Sequence, residues 1–592
     1  MYQDLKNKSL GGNIWEFAPC DEKKAEIAAQ KCGIPLLLAH ILTVRNIAAE
    51  DIADFLTPKM QNLMPDPYVM KDMEKATAAI GQAIMQNKQI AIIGDYDVDG
   101  ATSSAVLMLF LQSLGICPLI HIPERDEGYG PSIKAVDEFK AQGTRLLITV
   151  DCGTNAKEVF DYAKKQGMEV VVLDHHEADE TLPQIEALVN PKRRDDDSSL
   201  PYLKYMAAVG VVFMGIVAVN RYLRDNGFYQ NRTAPDLRQW LDLVALGTVC
   251  DVVPLLGLNR AFVKQGLKVM ACRNNIGLKT LMAKADIKDI PNTYHLGYVL
   301  GPRINAGGRV GDSSVGNRLL CTNDEKCAVS LSDKLNEYNA LRKEIETDVL
   351  AQACEILEGS PQKYPMAFVY GHGWHQGVIG IVAGKLKEKY NVPAFVMSVD
   401  EDEVRGSARS VDGLDLGGLI ICAKEKGLLT KGGGHTMAAG FSCTEGKIEE
   451  FRSFVGDYIT ANLKDEQLDP VLMIDGCLDA AGANLDLIGN LERLEPYGSA
   501  NPEPRLVLER AIVTKSSIVG SGHICCFLSS LNGGSLKAMA FNCADNEIGR
   551  ALLNGRGKSF RLAGKLRRDT WQGRNQAQFI IEDAMETKND NP

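Results

Sequence analysis

Short apolar runs alternate with helix-length segments between about residue 71 and residue 255. The runs 89-QIAIIG-94, 145-RLLITV-150 and 168-MEVVVL-173 are rich in β-branched residues and have the length of buried strands. Each is followed by a segment of helical length that is amphipathic or apolar. This alternation predicts an α/β domain built on a parallel sheet.

A different pattern follows this domain. From residue 328 to residue 357, apolar residues recur at helical spacing with charges between them, and 359-GSPQKYP-365 ends the pattern. We therefore expect one long helix that leads to a second α/β unit at about residues 363–462. After 464-KDEQLDP-470 the chain is rich in strand-like alternation with short turns, which predicts a small β-barrel.

The predicted fold class is therefore α/β with a terminal barrel, and the chain divides into five regions. A chain of 592 residues that is 45% hydrophobic can bury several cores. The predicted regions are an N-terminal helical segment at 1–70, the parallel-sheet domain at 71–325, the connecting helix at 326–358, the second α/β domain at 359–463 and the barrel at 464–592.

Composition restricts the cellular setting more than it restricts the substrate. No apolar run reaches the roughly 18 residues of a membrane span, and the first residues lack a signal-peptide pattern, so we expect a cytoplasmic protein without membrane contact. Fifteen scattered cysteines without a repeated spacing are typical of reduced core residues. A net charge of −11 argues against general affinity for polyanions, although a local basic channel is compatible with it.

Acidic side chains follow the three predicted strands at the point where each strand ends. Because the carboxyl ends of parallel strands share one edge of a sheet, where open α/β sheets bind ligands, we expect these side chains to meet in one crevice. They are Asp95, Asp97 and Asp99 in the turn after the first strand, Asp151 after the second, and Asp174 with His175 and His176 after the third.

Several interpretations of these acids stay open. One aspartate in a turn is most often a polar cap, and Asp251, which follows the helix-like run 239-QWLDLVALG-247, is by itself most simply a cap. The spacing D-x-D-x-D-G also occurs in calcium loops, but Val106 stands where such a loop needs an acid. Together, several carboxylates and an imidazole favour Mg²⁺ or Mn²⁺, and two such ions would suit phosphoester hydrolysis.

Four other segments have the composition of anion sites. The segment 301-GPRINAGGR-309 sets arginines beside glycines, and 405-RGSARS-410 is expected to form a tight polar turn. In 431-KGGGHTMAAGF-441 a histidine follows three glycines and precedes an expected helix, whose N-terminus would bind a phosphate. Each could equally be an ordinary turn or surface feature. The candidate anion ligands are Arg125, Arg303, Arg309, Ser407, Arg409 and His435.

Taken in order, these motifs resemble the DHH/DHHA1 phosphoesterases over about residues 35–585, and among them the single-stranded-DNA-specific exonucleases. The resemblance is carried by 94-GDYDVDG, 125-RDEGYG, 151-DCG, 174-DHH, 246-LGTVCDVVPL, 301-GPRINAGGR, 374-WHQGVIGIVA, 406-GSARS, 433-GGHTMAAG and 494-LEPYGSANPEP. The family implies a DHH catalytic domain, a long helix, a DHHA1 domain and an OB-fold around a channel for one DNA strand. Gln376 departs from the family pattern, where proline is usual.

The resemblance also implies a role for each candidate residue. The ligands of two Mn²⁺ or Mg²⁺ ions would be Asp97, Asp99, Asp151, His175 and Asp251, with Asp151 bridging. Asp95 and Asp174 would orient these ligands, and His176 would face the scissile phosphate. The contacts with the DNA backbone would be Arg303, Asn305, Arg309 and His435, and a 5′ phosphate would be held by Arg125, Ser407 and Arg409.

The expected function is that of a 5′→3′ exonuclease that degrades single-stranded DNA to mononucleotides in DNA repair and recombination. Two alternatives stay open: a phosphoesterase that acts on small or cyclic dinucleotides, and a non-catalytic family member that binds DNA. The family further suggests contact with a single-strand-binding protein and a repair helicase, and we expect a monomer.

Overall fold

Two compact units make up the computed structural model of the chain. One unit combines Met1–Thr57 with Asn462–Pro592, and the other is the continuous segment Pro58–Ala461. The structure describes residues 8–125, 127–128, 130–196, 200–359, 364–463, 469–530 and 533–587. The predicted domain boundary at residue 464 lies outside these residues. Among the helices of the described ranges, none is both long enough and apolar enough to span a membrane.

The N-terminal part of the first unit contains a strand in addition to the helices that the sequence predicts. Its elements are β1 (Ile14–Phe17), α1 (Glu22–Cys32), α2 (Leu36–Val44) and α3 (Ile52–Leu56). A side-chain oxygen of Asp21 accepts a hydrogen bond from the backbone N–H of Lys24 and caps α1. Gly33 ends that helix with a left-handed φ of 61°.

A five-stranded parallel sheet forms the centre of the second unit, which confirms the predicted sheet. Its strands are β2 (Ile90–Gly94), β3 (Leu119–His121), β4 (Leu146–Val150), β5 (Glu169–Leu173) and β6 (Ala187–Val189). They lie in the order β3-β2-β4-β5-β6, and every pairing is parallel. The three longer strands are the predicted ones, whereas β3 and β6 are too short for a periodic pattern.

Helices cover both faces of this sheet. They are α4 (Met60–Leu63), α5 (Met73–Met85), α6 (Val98–Ser113), α7 (Ile133–Ala141), α8 (Lys157–Lys165), α9 (Ala208–Asp225), α10 (Leu241–Cys250), α11 (Gly257–Ala271), α12 (Ile276–Lys284), α13 (Gly301–Val310) and α14 (Ser314–Cys321). A π-helical segment, His295–Leu300, leads directly into α13. One face of the sheet, with Ile90 and Ile92, packs into the core that α5, α6 and α9 share. The other, with Ala91 and Ile93, packs against α7 and α8.

The predicted long helix is confirmed as α15 (Glu325–Gly359). It leads into a mixed sheet made of β7 (Ala367–His372), β8 (Ala394–Asp400), β9 (Glu403–Arg409), β10 (Lys431–His435) and β11 (Ala438–Thr444), in the order β10-β11-β9-β8-β7. Its helices are α16 (Gln376–Tyr390), α17 (Leu416–Glu425) and α18 (Ile448–Asn462). Glu346 of α15 is buried and forms ion pairs with Arg342 of the same helix and Lys385 of α16.

Two local predictions in this domain were wrong. The segment 405–410 does not form a tight turn but lies mostly in strand β9, and the residues after His435 form strand β11 instead of a helix. Buried residues alternate with more exposed ones along β11, which is the period of a strand. The glycines before His435 permit close pairing, since a Cβ on Gly434 would lie 2.5 Å from the carbonyl oxygen of Ala438.

The predicted barrel is confirmed in the C-terminal part of the first unit. Its elements are β12 (Val471–Ile474), β13 (Gly476–Leu478), α19 (Leu485–Glu492), β14 (Leu506–Val519), β15 (His523–Ser530), β16 (Gly533–Ala540), α20 (Glu547–Leu553), β17 (Ser559–Asp569) and β18 (Gln576–Glu586). Five strands close the barrel in the order β14-β15-β16-β18-β17, because β17 pairs back with β14. Strand β1 pairs in parallel with β12.

Asp583 connects the N-terminal segment to the barrel within this unit. Its buried carboxylate accepts hydrogen bonds from Ser9 Oγ at 2.5 Å, Gly11 N at 2.9 Å, Asn13 Nδ2 at 2.8 Å and Trp15 Nε1 at 2.9 Å. The carboxylate thereby accepts from four donors of the N-terminal segment that would otherwise lose water without gaining another partner. Residues 9–15 are therefore part of the barrel unit.

We predict that Asp583→Ala lowers the free energy of unfolding of the first unit by about 3 kcal/mol, because buried donors lose their acceptor. Hydrogen–deuterium exchange of the β1 and β18 amides in the full chain measures this loss. The matched control is Glu586→Ala on the same strand, where a half-exposed pair with Lys558 is removed, and the cost should stay below about 1 kcal/mol. Equal exchange in the two variants would contradict the proposed connection.

Candidate metal centre

The chain turns sharply between β2 and α6, and this turn positions Asp95 and Asp97. Asp97 caps α6, with Oδ1 accepting from the backbone N–H of Gly100 at 3.0 Å. Asp99 therefore lies in the first turn of the helix, not in the turn before it as predicted. A Cβ on Gly100 would lie 2.3 Å from the carbonyl oxygen of Asp95, so only glycine permits this tight approach.

Asp99 is fully buried and is held by the N-terminus of another helix. Its Oδ2 accepts from the backbone N–H of Ala208 at 2.6 Å, and its Oδ1 accepts from that of Val209 at 3.0 Å. These are the first residues of α9, where the unpaired N–H groups and the helix dipole stabilise a negative charge. The carboxylate thus keeps a fixed orientation toward the edge of the sheet.

His175 is oriented so that one ring nitrogen points at two carboxylates. Its Nδ1 lies 3.0 Å from the carbonyl oxygen of Met206, an acceptor that requires the Nδ1–H tautomer. Nε2 then carries the lone pair and lies 3.3 Å from Asp151 Oδ1 and 3.8 Å from Asp99 Oδ2. This is the arrangement of a metal-ligating histidine whose other nitrogen is held by a carbonyl.

The predicted strand-end residues converge into three overlapping groups of potential metal ligands. The groups are Asp95, Asp97 and Asp151; Asp99, His175 and Asp251; and Asp151, His175 and His176, each with ligand atoms within 4.8 Å of one another. Asp151 is shared by the first and third groups, and His175 by the second and third. Asp151 and His175 therefore link the three groups into one continuous cluster of potential ligands.

Because these carboxylates are buried and repel one another, their charged forms are unfavourable unless a cation is bound. Burial, reinforced by the nearest carboxylate, raises the pKa of Asp95, Asp99 and Asp251 to about 7 each. Burial and the charges of Asp99 and Asp97 raise the pKa of Asp151 well above its ordinary value. The buried Oδ2 of Asp251 has no hydrogen-bond partner among the described residues. Oxygen-rich donors with one imidazole fit Mn²⁺ or Mg²⁺.

Asp174 differs from the other acids because it is saturated with donors. Its Oδ2 accepts from the N–H and the hydroxyl of Thr154 at 3.0 and 2.6 Å, and its Oδ1 lies 2.8 Å from His176 Nδ1. Although burial opposes its charge, the hydrogen bond from His176 and the other donors hold the pKa of Asp174 well below its ordinary value. Burial lowers the pKa of His176, but the same hydrogen bond and the charges of Asp174, Asp95 and Asp251 together outweigh burial and raise it.

His176 therefore has an anchored imidazole at the mouth of the site. Its side chain is 43% exposed, whereas that of Asp174 is 1% exposed. Asn190 supports this arrangement, because its Nδ2 donates to the carbonyl oxygen of His176 and to Thr154 Oγ1, both at 2.8 Å. Sequence reasoning missed Thr154, Asn190, Met206 and the start of α9, which reach the site only through long-range contacts.

A cationic cleft lies at the N-terminus of α16, within the same unit. Arg309 Nη1 donates to the carbonyl oxygen of Gly377 at 2.8 Å, and burial, with the charges of Arg125 and Arg342, lowers its pKa to about 10. Arg125 Nε donates to the carbonyl oxygen of Gly308 at 2.9 Å, and its guanidinium lies 4.8 Å from the centre of the Tyr96 ring. The first turn of a fifteen-residue helix adds N–H groups for an anion.

The remaining predicted DHHA1 residues lie on one face of the mixed sheet. Arg409 Nη1 donates to Ser407 Oγ at 3.1 Å, and a Cβ on Gly380 of α16 would lie 3.1 Å from that hydroxyl oxygen. Arg409 is opposite Ala438, which is opposite His435, so Arg409 and His435 point from the same face about 10 Å apart. The structure thus brings Ser407 and Arg409 to α16, with His435 two strands away.

The two other candidates in α13 have different surroundings. Asn305 Oδ1 accepts from the backbone N–H of Val98 at 3.1 Å and so contacts the loop of the candidate metal ligands. Arg303 instead donates from Nε to Asn336 Oδ1 of α15 at 2.8 Å, and from Nη1 to the carbonyl oxygen of Val299 at 2.6 Å. Among the predicted DNA contacts, Arg303 is therefore the one held by the long helix.

The motif 374-WHQG contributes a core residue and a helix cap. Trp374 is buried in the core between α15 and α16, and its Nε1 donates to Gln352 Oε1 at 2.8 Å. His375 caps α16, with Nδ1 accepting from the N–H of Gly377 at 3.0 Å. Gln376 accepts from Arg405 Nη1 at 2.8 Å, a contact that the usual proline could not make.

Three family models match the chain in order. The DHH family N-terminal domain matches residues 89–248, the DHHA1 domain matches 362–461, and the RecJ OB domain matches 474–583. The DHHA1 model covers α16, Ser407, Arg409 and His435, whereas Arg125 lies within the DHH model and Arg309 lies between the two. The DHH model covers every candidate metal ligand except Asp251.

Curated relatives match nearly the whole chain. The chain is 34% identical over 578 residues to the single-stranded-DNA-specific exonuclease RecJ of Salmonella typhimurium, covering 94% of this chain and 97% of the relative. It is 32% identical to the single-stranded-DNA-specific exonuclease RecJ of Bacillus subtilis, covering 96% of this chain and 70% of the relative. A crystal structure of Thermus thermophilus RecJ with Mn²⁺ has a TM-score of 0.80 and 26% identity, covering 97% of this chain and 80% of that one. The chain therefore belongs to the RecJ family of DHH/DHHA1 proteins.

Proposed function

We propose that this chain is a metal-dependent exonuclease that degrades single-stranded DNA from the 5′ end to mononucleotides. The observation that carries the proposal is the convergence of Asp97, Asp99, Asp151, His175 and Asp251 at one sheet edge. The same relatives that define the family are named single-stranded-DNA-specific exonucleases. A related structure contains Mn²⁺ and another contains Mg²⁺.

In this proposal the five converging residues would hold two Mn²⁺ or Mg²⁺ ions, with Asp151 as the shared ligand. Bound there, the ions would supply an activated water and neutralise the charge of the phosphate that it attacks. Asp99 keeps its orientation through the N-terminus of α9, and His175 keeps its lone pair on Nε2 through Met206. Asp95, with Oδ1 accepting from Tyr96 N at 2.8 Å, fixes the turn that carries Asp97.

His176 would contact the scissile phosphate in this scheme. Its Nδ1–H donates to Asp174, which orients the ring, and the side chain is 43% exposed. Because the hydrogen bond to Asp174 raises its pKa, His176 favours the charged form more than a free histidine does. A protonated imidazole would donate a hydrogen bond to a phosphate oxygen.

The cationic cleft would fix the polarity of cleavage. Arg125, Ser407 and Arg409 would hold the terminal 5′ phosphate beside the first turn of α16, while Arg309 and Asn305 contact the next part of the backbone. A terminal monoester phosphate carries more negative charge than an internal diester, so clustered guanidinium groups and helix N–H groups favour the chain end. Arg303 and His435 are proposed as outer backbone contacts.

The alternatives are less well supported. A dinucleotide phosphoesterase is not favoured, because relatives that match nearly the whole chain are named single-stranded-DNA exonucleases and a closed barrel follows the DHHA1 domain. A non-catalytic role would leave a repulsive cluster of buried carboxylates without a purpose. Contact with single-strand-binding protein or a repair helicase, a cytoplasmic location and a monomeric state stay predictions.

The proposal is tested by incubating the purified chain and Mn²⁺ with a 5′-phosphorylated single strand that is labelled at either end. We expect the 5′ label to appear at once as a mononucleotide, while the 3′ label stays on a shortening strand. Blunt duplex of the same sequence should be degraded far more slowly. No release of label, or equal attack on duplex and single strand, would refute the activity, and early release of the 3′ label would refute the polarity.

We predict that Asp151→Asn lowers kcat by at least about 10³-fold, because the proposed bridging ligand loses its charge. Asparagine tolerates the positive φ of 59° at this position, so the backbone can be retained. Without metal, the variant should melt at a higher temperature than the parent at pH 8, since one repelling charge is gone, and Mn²⁺ should raise its melting temperature less. Calorimetry and the release assay measure these effects.

The matched control is Asp242→Asn in α10. Burial raises the pKa of Asp242 to about 7 as well, but this acid is not among the converging groups. A raised pKa means that stability is lost as the pH rises from about 4 toward 7, so this variant should also gain stability at pH 8. It should keep both activity and the Mn²⁺ response. Activity retained in Asp151→Asn would contradict the bridging role.

We call Arg125, Ser407 and Arg409, which would hold the terminal 5′ phosphate, the end-binding pocket. If they do so, we expect Arg409→Ala to remove the preference for a 5′-phosphorylated over a 5′-hydroxyl strand and to raise KM for the phosphorylated strand roughly tenfold or more. Arg405→Ala is the matched control on the same strand, because the Arg405 guanidinium is already paired with Glu403 at 3.0 Å. Initial rates on both strands measure the preference. An unchanged preference in Arg409→Ala, or an equal loss in the control, would contradict the pocket.

A further inference from the structure

An exposed pair of tyrosines lies on the helical segment that leads into α13. Tyr294 and Tyr298 are 61% and 75% exposed, yet their rings are stacked, with centroids 5.4 Å apart and planes inclined by 24°. Among the described residues, neither hydroxyl has a hydrogen-bond partner. The pair therefore offers a flat aromatic surface to solvent without serving the core.

The tyrosines are carried by the π-helical segment His295–Leu300 and the residue before it. This segment packs against the end of α10: Cys250 Sγ lies 3.4 Å from the carbonyl oxygen of Leu296, and the site of a Cβ on Gly297 lies 3.6 Å from Val249 Cγ1. The residue that follows Cys250 is the candidate ligand Asp251. π-Helical turns are rare and are often found at functional sites.

The spacing of the tyrosines aligns them with two proposed DNA contacts. The π-helical segment continues into α13 without a break, and Tyr298, Asn305 and Arg309 follow one another at intervals of seven and four residues. Asn305 and Arg309 are four residues apart on α13 and share one face of that helix, and Tyr298 precedes them along the same helical axis, so the three residues form a stripe in this axial order. At about 1.5 Å per residue, Tyr298 lies roughly 10 Å along the axis from Asn305.

Two contacts give this stripe a direction. At its far end, Arg309 contacts Gly377 in the first turn of α16, where the terminal phosphate is proposed to bind. In its middle, Asn305 contacts the backbone N–H of Val98 beside the candidate metal ligands. The tyrosines stand at the opposite end from α16, so a strand that follows the stripe would reach them after passing the metal centre.

We infer that Tyr294 and Tyr298 form a stacking platform for bases of the single strand on the 3′ side of the scissile phosphate. The inference rests on the proposed function. In it, the two tyrosines bind the part of the strand that has not yet been cut. Every nucleobase has an aromatic face, so stacking of this kind is independent of sequence and requires unpaired bases. The platform would thereby contribute to the preference for single strands and to retention of the strand between successive cuts.

The test uses the full chain with Tyr294→Ala, Tyr298→Ala and the double substitution. Stacking on one base changes affinity about 5- to 150-fold, so the double variant should raise KM for a long single strand at least tenfold while kcat changes less than twofold. Fewer nucleotides should also be removed per binding event. Tyr298→Phe should retain the parental KM, whereas Tyr298→Leu, which is apolar but not aromatic, should not.

A strand with abasic sites on the 3′ side of the scissile phosphate separates base stacking from other effects. The parent should bind this strand about tenfold more weakly than the intact strand, and the double variant should bind both alike. Met85→Ala is the control for loss of an exposed apolar side chain, since Met85 ends α5 just before β2 begins, at the sheet edge opposite the acids. It should leave KM unchanged.

The outcomes distinguish the platform from the activity on which it depends. If the parent degrades single strands but the double variant still discriminates against abasic strands, the platform is wrong and the exonuclease assignment stands. If the parent degrades no single strand, the proposed function itself fails. If the double substitution changes the sedimentation of the protein without DNA but not KM, the tyrosines serve contact with a second copy, and the platform is again overturned.

Discussion

Repulsion among buried carboxylates is the constraint on which the rest of the structure depends. Burial and neighbouring negative charges raise the pKa of Asp95, Asp99 and Asp251 to about 7 each, and they raise that of Asp151 well above its ordinary value. A fold gains no stability from such a cluster unless protons or cations reduce its charge. The α/β sheet nevertheless fixes the acids at one edge, where strand ends, the start of α9 and the ring of His175 hold them within coordinating distance.

Helix α13 relates this centre to the cationic cleft. Asn305 contacts the loop between β2 and α6, and Arg309 contacts the first turn of α16, so the spacing between metal centre and cleft is set by the length of one helix. The ion pair of buried Glu346 on α15 with Lys385 on α16 joins these two helices in the same unit. In the proposed function, this geometry determines how far from the 5′ end the strand is cut.

Much of this architecture was predictable from sequence, and the exceptions share a cause. Continuous β-branched runs predicted β2, β4 and β5. Because parallel strands end at the same edge of a sheet, the sequence also predicted that the acids after these strands lie close together. Local pattern could not show that the N-terminus of α9 binds Asp99, that Thr154 and Asn190 hold Asp174 and His176, or that β1 pairs with β12, because these contacts join distant residues. The segment after His435 misled because its small residues fit both a helix and a strand.

The central claim is that two cations share Asp151, and electron paramagnetic resonance of the chain loaded with two equivalents of Mn²⁺ tests it most directly. A bridging carboxylate couples the two spins, so the account predicts a multiline spectrum of a coupled pair in place of the six-line signal of isolated Mn²⁺. The coupled signal should disappear in Asp151→Asn while a mononuclear signal survives. A spectrum of isolated or unbound Mn²⁺ in the parent chain would contradict the account.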